Sequence, residues 1–215
     1  VQKLVLSLTA FALIGLTAGF QDPARKKTSL TNDDLSQPPA STSAPAAPRK
    51  NSGAENTPAS WQQFTSAEGA FSVALPNQPE KKVESAEFPI VGKIDFHMFM
   101  AMDSENVFVV GYADLSAAMK DKPQSFLDGF RKGVMEGGRK GMLESVKGRL
   151  ISEKDLTLDG HPGKEYLIES SIGITTARFF FTGRRFYQAL ALNVAKNADS
   201  PAATAFFSSF NVTEQ

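Results

Sequence analysis

Residues 149–194, RLISEKDLTLDGHPGKEYLIESSIGITTARFFFTGRRFYQALALNV, decide the fold class. Leu156 and Leu158 alternate with Thr157 and Asp159, and Tyr166 and Ile168 alternate with Leu167 and Glu169. Residues 176–182 and 186–194 are rich enough in aromatic and β-branched side chains for buried strands. Gly160, Gly163, Gly173 and Gly183 separate the apolar runs, so the stretch reads as strands joined by tight turns. In the central DGHPGKE connection, Gly160 and Gly163 are read as supplying the bend and Pro162 as stiffening it. An antiparallel sheet follows from this pattern. A catalytic apparatus does not.

Outward from the stretch, the preceding helix is the clearest of the chain. Phe126, Leu127, Phe130, Val134 and Met135 recur at helical spacing, with Asp128, Arg131, Lys132 and Glu136 on the other side. Asp121 is read as its cap, with Pro123 in the first turn and Gln124 completing a capping box, which predicts a helix over about 121–142. Gly133, Gly137, Gly138 and Gly141 weaken its second half, at about 1 kcal/mol each relative to alanine. A stop near Gly137–Gly138 is the less costly reading; a glycine face for close backbone approach is the other. Behind the stretch, Ser200 and Pro201 open a short helix over about 200–209, with Ala205, Phe206 and Phe210 as its apolar stripe.

Before the helix, Phe71, Val73 and Leu75 alternate in an opening strand that packs one face on the core, and Trp61 is read as sealing a core edge. Residues 77–85, NQPEKKVES, read as a charged loop. A strand pair is expected from Phe88 through Met102, with Phe96, Met98 and Met100 on one face and His97, Phe99 and Ala101 on the other. The turn Asp103-Ser-Glu-Asn106 leads into residues 107–113, apolar on both faces and hence central. His97 reads as a half-covered strand residue rather than a ligand, and the period of two in Met98, Met100 and Met102 matches a packed face better than a soft-metal site. The whole is expected to be one α+β domain over 61–215, a mainly antiparallel sheet with helices on its faces.

The first sixty residues differ in kind. Residues 4–20, LVLSLTAFALIGLTAGF, are uncharged and apolar, follow Lys3, and end in small residues. That is the layout of a signal peptide over 1–20, with an uncleaved amino-terminal anchor, and so membrane association, as the alternative. Residues 21–60 carry six prolines among Ser, Thr, Ala and charged residues, with almost nothing large to bury, and read as a disordered tether. The chain has no cysteine, which excludes disulfides, thiolate metal sites and thioether lipidation, Phe20 standing where a lipoprotein cysteine would be. Residues 61–215 hold 17 Lys and Arg against 19 Asp and Glu, a net −2 that argues against nucleic acid as a partner.

The ordered set Trp61…Phe64…Glu68-Gly69…Phe71-Ser-Val…Pro76, Ile151-Ser-Glu-Lys…Leu158-Asp-Gly-His-Pro-Gly-Lys-Glu165, Gly183-Arg-Arg-Phe-Tyr187-Gln and Ala205-Phe-Phe-Ser-Ser-Phe210 resembles a group of bacterial secreted proteins and lipoproteins. Their domain is similar in outline to the PsbP/Mog1/LpqN fold, a curved antiparallel sheet between helices. The resemblance spans the domain from Trp61 to Val212. It implies a location outside the cytoplasm and an accessory or binding role rather than a reaction.

Candidate chemistry is sparse. His161 is the best single candidate for a catalytic base, with carboxylates close by in sequence, yet no G-x-S-x-G or comparable nucleophile context accompanies it. Asp159, His161 and Glu165 do not form a recognised zinc set, and GGRKG lacks Walker spacing. Arg184 and Arg185, beside Tyr187 and with Lys164 and Arg178 expected on neighbouring strands, form the candidate binding cluster for an acidic partner or headgroup; Glu165 and Glu169 are placed to neutralise part of it. The expectation is therefore a non-catalytic exported binding or accessory protein of the cell envelope, without cofactor or metal, whose partner is an envelope protein or a small apolar ligand. A groove near Phe126, Phe130 and Phe180 would serve such a ligand. An envelope-associated hydrolase using His161 and a structural subunit of a membrane-associated complex are the alternatives.

Overall fold

The computed structural model describes residues 57–88 and 92–213. The expected leader or anchor over 1–20, and the tether as far as residue 56, lie outside the described residues. Among those described, no helix is long and apolar enough to cross a membrane.

Among the described residues, ten strands and three helices follow one another as β1 (Gln62–Ser66), β2 (Phe71–Leu75), β3 (Glu80–Phe88), β4 (Gly92–Met102), β5 (Asn106–Asp114), α1 (Ser116–Met119), α2 (Gln124–Ser145), β6 (Arg149–Leu158), β7 (His161–Ser170), β8 (Gly173–Thr182), β9 (Arg185–Asn193), α3 (Pro201–Ser209) and β10 (Asn211–Val212). Seven strands form an antiparallel sheet in the order β3-β4-β5-β9-β8-β7-β6, and β1, β2 and β10 form a second, three-stranded one. The helices carry the chain from β5 to the far edge at β6, and three hairpins bring it back until β9 pairs with β5. The α+β architecture is the one the patterning called for.

The period of two divides the core. Phe179 and Phe181 face α2 together with Tyr166, Ile168, Ala177 and Phe186, and meet Phe130, Val134 and Met142 of the helix. Phe180, one residue away, faces the other side with Phe99, Phe108, Val110, Tyr112 and Tyr187, against Phe71, Val73 and Leu75 of β2 and Phe206, Phe207 and Phe210 of the α3 region. The result is three layers: α2, the large sheet, and the small sheet with α3. Trp61 packs edge-on against Phe108 at 5.1 Å, which places it at the rim of the second core.

Several local expectations change. Residues 80–85 are not loop but the start of β3, in unbroken register with β4 from Glu80↔Met100 to Phe88↔Gly92. An outermost strand carries no apolar face pattern because charge there discourages further pairing, so its sequence resembles a loop. Asp121 does not cap α2: it sits in a turn at φ +56, and Pro123 stands at the cap position with no side-chain hydrogen bond. The glycines do not stop the helix either. It runs to Ser145 and closes in a Schellman arrangement, with Gly148 N–H donating to the Leu143 carbonyl (2.9 Å), Lys147 N–H to that of Glu144 (3.3 Å), and Lys147 at φ +46. Gly137, Gly138 and Gly141 lie on the buried side instead, and a Cβ on Gly138 would stand 2.8 Å from Phe179 Cε2. The helix continues because its backbone rests on that ring.

A buried polar network ties the far end of the sheet. Asn106 Oδ1 accepts from Asn193 Nδ2 at 2.9 Å and from the Ser200 hydroxyl at 3.3 Å, while Asn106 Nδ2 donates to Asp103. Ser200 in turn caps α3 by accepting from Ala203 N–H, as its position before Pro201 predicted.

Candidate functional site

The opposite end of the sheet, where β5, β7, β8 and β9 finish or begin, opens into a cavity of about 490 Å³. Two tight turns build it. Asp159 and Gly160, both at positive φ, form a two-residue Asp-Gly hairpin turn, so His161 is already the first residue of β7. Pro162 and Gly163 therefore belong to the strand, not the bend; Gly163 lies opposite Phe180, whose ring occupies the space a Cβ would fill. The second turn is Gly183–Arg184, with Gly183 at φ +55. It is held from both sides: Leu115 N–H donates to the Arg184 carbonyl at 2.8 Å, and Arg131 of α2 reaches the Gly183 carbonyl at 3.5 Å.

These turns set His161, Arg184 and Arg185 around the cavity with the hydroxyl residues Ser116, Thr182 and Thr213, and with Asp114 as the acidic member. Asp114 lies directly across the ladder from Arg185, their Oδ2 and Nε 3.7 Å apart, and its Oδ1 accepts from Ser116 N–H at 2.8 Å. Burial raises its pKa, but hydrogen bonds from the Ser116 hydroxyl and N–H, together with the Arg185 charge, outweigh that and hold the carboxyl below its ordinary range. Asp114 is thus a committed carboxylate rather than a proton donor. Arg184 is exposed and makes no ion pair among the described residues.

Of the five residues expected to bind, Arg184, Arg185 and Tyr187 come together here. Tyr187 forms wall rather than ligand: it is buried, and its hydroxyl donates to the Gly69 carbonyl at 2.7 Å, pinning the β1–β2 turn onto the large sheet. Lys164 and Arg178 are elsewhere, and on opposite faces of the sheet. Lys164 is held between Glu153 (2.7 Å) and Asp155 (2.9 Å), which raise its pKa. Arg178 pairs with Glu165 at 2.8 Å and lies over the Phe207 ring at 4.3 Å, facing α3. Glu165 thus neutralises Arg178 as foreseen, whereas Glu169 pairs with Arg149 at 2.6 Å. Phe126, Phe130 and Phe180 share no groove, since the first two pack under α2 and the third on the other face.

Sequence reading missed Asp114, Ser116, Thr182 and Thr213, because only the β5–β9 pairing and the return of β10 bring them beside His161. His97 is half-covered in its strand, stacked on Tyr112 at 4.6 Å with its Nδ1 3.9 Å from Glu68 Oε1. Among the described residues no three His, Asp or Glu side chains converge as metal ligands.

No family model matches the chain, and no curated protein matches it. Among solved structures, the chain is similar to cyanobacterial PsbP (CyanoP) from Synechocystis sp. PCC 6803 at 16% identity and a TM-score of 0.46, over 72% of this chain and 93% of that one. It is also similar to a Pseudomonas aeruginosa protein of unknown function at 14% identity and a TM-score of 0.25, over 63% and 85% of the two chains. Both likenesses are distant.

Proposed function

We propose that the domain is a non-catalytic binding module that works after export, and that its recognition site is the cavity at the Gly183–Arg184 turn, taking an acidic segment of an envelope protein. The observation that carries this reading is the excess of cation over anion among the described residues around the cavity: Arg184 has no counter-charge there, and Arg185 is paired with Asp114, the one carboxylate among them. Hydroxyls of Thr182 and Thr213 line the same space and offer neutral donors to an incoming carboxylate. Export is supported by the apolar run at 4–20 and the proline-rich tether behind it.

Affinity measurements test the reading. A glutamate-rich peptide should bind the full chain, and a lysine-rich peptide of equal length should not. Arg184→Glu, an exposed change that leaves the turn's backbone bonds intact, should weaken binding about tenfold or more. Equal affinity for both peptides, or indifference to the charge reversal, would sink the proposal.

One observation favours a second reading, a hydrolase using His161, since Ser116 and Asp114 line the same cavity. Against a relay, Asp114 is engaged by the Ser116 N–H at 2.8 Å and by Arg185. A nucleophile requires its base at hydrogen-bond distance, with the carboxylate orienting the base from behind. Ester turnover abolished equally by Ser116→Ala and His161→Ala would establish that reading; absence of turnover would remove it.

A further inference from the structure

The face of the large sheet that carries α3 is not uniformly covered. Toward its β6 edge a slot of about 190 Å³ remains, separate from the cavity above and sharing none of its lining residues. Its inner wall is aromatic, formed by Phe180, Phe207 and Phe210, with Leu156 and Leu158 of β6 beside them. Phe180 and Phe210 stack at 6.1 Å and 23°. The Phe180 ring is fixed from below as well: a Cβ on Gly163 would come within 2.4 Å of its Cδ1, so the ring lies flat against a strand position where only glycine fits. The wall is thus formed before any ligand arrives.

The mouth of the slot is charged. Arg178 donates to Glu165 Oε2 at 2.8 Å while its guanidinium lies over Phe207, and Lys154 Nζ stands 4.0 Å from Glu165 Oε1. Two cations therefore share one carboxylate. Asp155 also borders the slot, but its carboxylate is turned to the opposite face of the sheet, where it pairs with Lys164 at 2.9 Å. Lys154 is largely exposed and free to swing toward a second anion.

We propose that this slot is a ligand site for a small carboxylate carrying one apolar ring, with the ring against Phe180, Phe207 and Phe210 and the carboxylate at Lys154 and Arg178. Size supports the class, since an apolar cavity of about 150 Å³ is enough to hold benzene. The two cations at the mouth favour an anion and disfavour an amine. The site is independent of the acidic-segment reading, and either can fail without the other.

Benzoate is the probe. Titrated into the full chain and followed by methyl resonances, it should shift Leu156 and Leu158 saturably. Benzyl alcohol, of the same shape without the charge, should bind about tenfold more weakly, and Lys154→Glu should weaken benzoate by a similar factor. Acetate, with the charge and no ring, should not displace it. Leu158→Trp, which fills the slot, should abolish the shifts, with an unchanged thermal midpoint in Lys154→Glu showing that the fold is retained. Absence of saturable shifts at Leu156 and Leu158, equal affinity for benzyl alcohol and benzoate, or full affinity in Lys154→Glu would overturn the proposal.

Discussion

Replacing Gly138 by alanine sets two effects of opposite sign against each other. In the interior of a helix the change from glycine to alanine is favourable by about 1 kcal/mol, because alanine loses less backbone freedom on folding. At Gly138, however, the new methyl would stand 2.8 Å from Phe179 Cε2, well inside van der Waals contact. Phe179 cannot easily give way, since its ring is packed edge-on against Tyr166 at 5.4 Å and Phe186 at 5.5 Å. Overpacking of this kind costs about 1–3 kcal/mol, so the net expectation is a loss of about 1 kcal/mol. Gly129, in the same helix with nothing within 4 Å of its would-be Cβ, is the internal control. Gly129→Ala should stabilise by about 0.5–1 kcal/mol. Urea titration of both variants measures the difference, and thermal midpoints should move in opposite directions by about 2–4 °C per kcal/mol. Phe179→Leu should relieve the clash, so that Gly138→Ala becomes harmless in that background. If Gly138→Ala stabilises as much as Gly129→Ala, the close approach of α2 to β8 is wrong.

Three further expectations rest on single interactions. Tyr187→Phe removes the hydroxyl that serves the Gly69 carbonyl and should cost about 1–2 kcal/mol in urea unfolding, without loss of secondary structure by circular dichroism. Asn106→Ala strips partners from Asn193, Ser200 and Asp103 together, and should cost about 2–4 kcal/mol, more than any one of those hydrogen bonds. Burial, helped by the Glu153 charge, pushes the Tyr166 phenol from 10.0 up to about 12. A raised pKa means the unfolded chain loses this proton first, so the stability it supports is complete below pH 10 and falls as pH rises toward 12, by about 2–3 kcal/mol. Ultraviolet absorbance titration beside urea unfolding across that window checks it, and Tyr166→Phe should flatten the alkaline loss.

The parts of the fold that were legible in the sequence are those where apolar side chains either alternate with polar ones or fill both faces. Residues 149–194 gave themselves away as β6 to β9 because Leu156, Leu158, Tyr166 and Ile168 recur at the spacing a sheet requires and residues 176–182 and 186–194 are rich in aromatic and β-branched side chains, and Ser200-Pro201 announced α3 through local capping chemistry. β3 was hidden for the opposite reason: a strand at the sheet margin is selected for charge, and Glu80-Lys81-Lys82 resembles a loop to any reading by hydropathy. The continuation of α2 through its glycines could not be read locally, since the close approach at Gly138 is to Phe179, a ring 41 residues away in sequence. The candidate site was half legible. Arg184 and Arg185 stand in a turn that glycine marks, but Asp114 and Ser116 join them only through the β5–β9 register. That Lys164 and Arg178 would part to opposite faces also depends on register, since Lys164 is the partner of Phe179, and Arg178 that of Glu165.

The central claim, that an acidic segment is taken up at the Gly183–Arg184 turn, is tested most directly by mapping amide shifts on the full chain as a glutamate-rich peptide is added at low and at high salt. The account predicts saturable shifts centred on Asp114, His161 and Thr182 to Arg185, weaker at high salt and lost in Arg184→Glu. Shifts that are absent, centre on another face, or persist unchanged in the variant would contradict it.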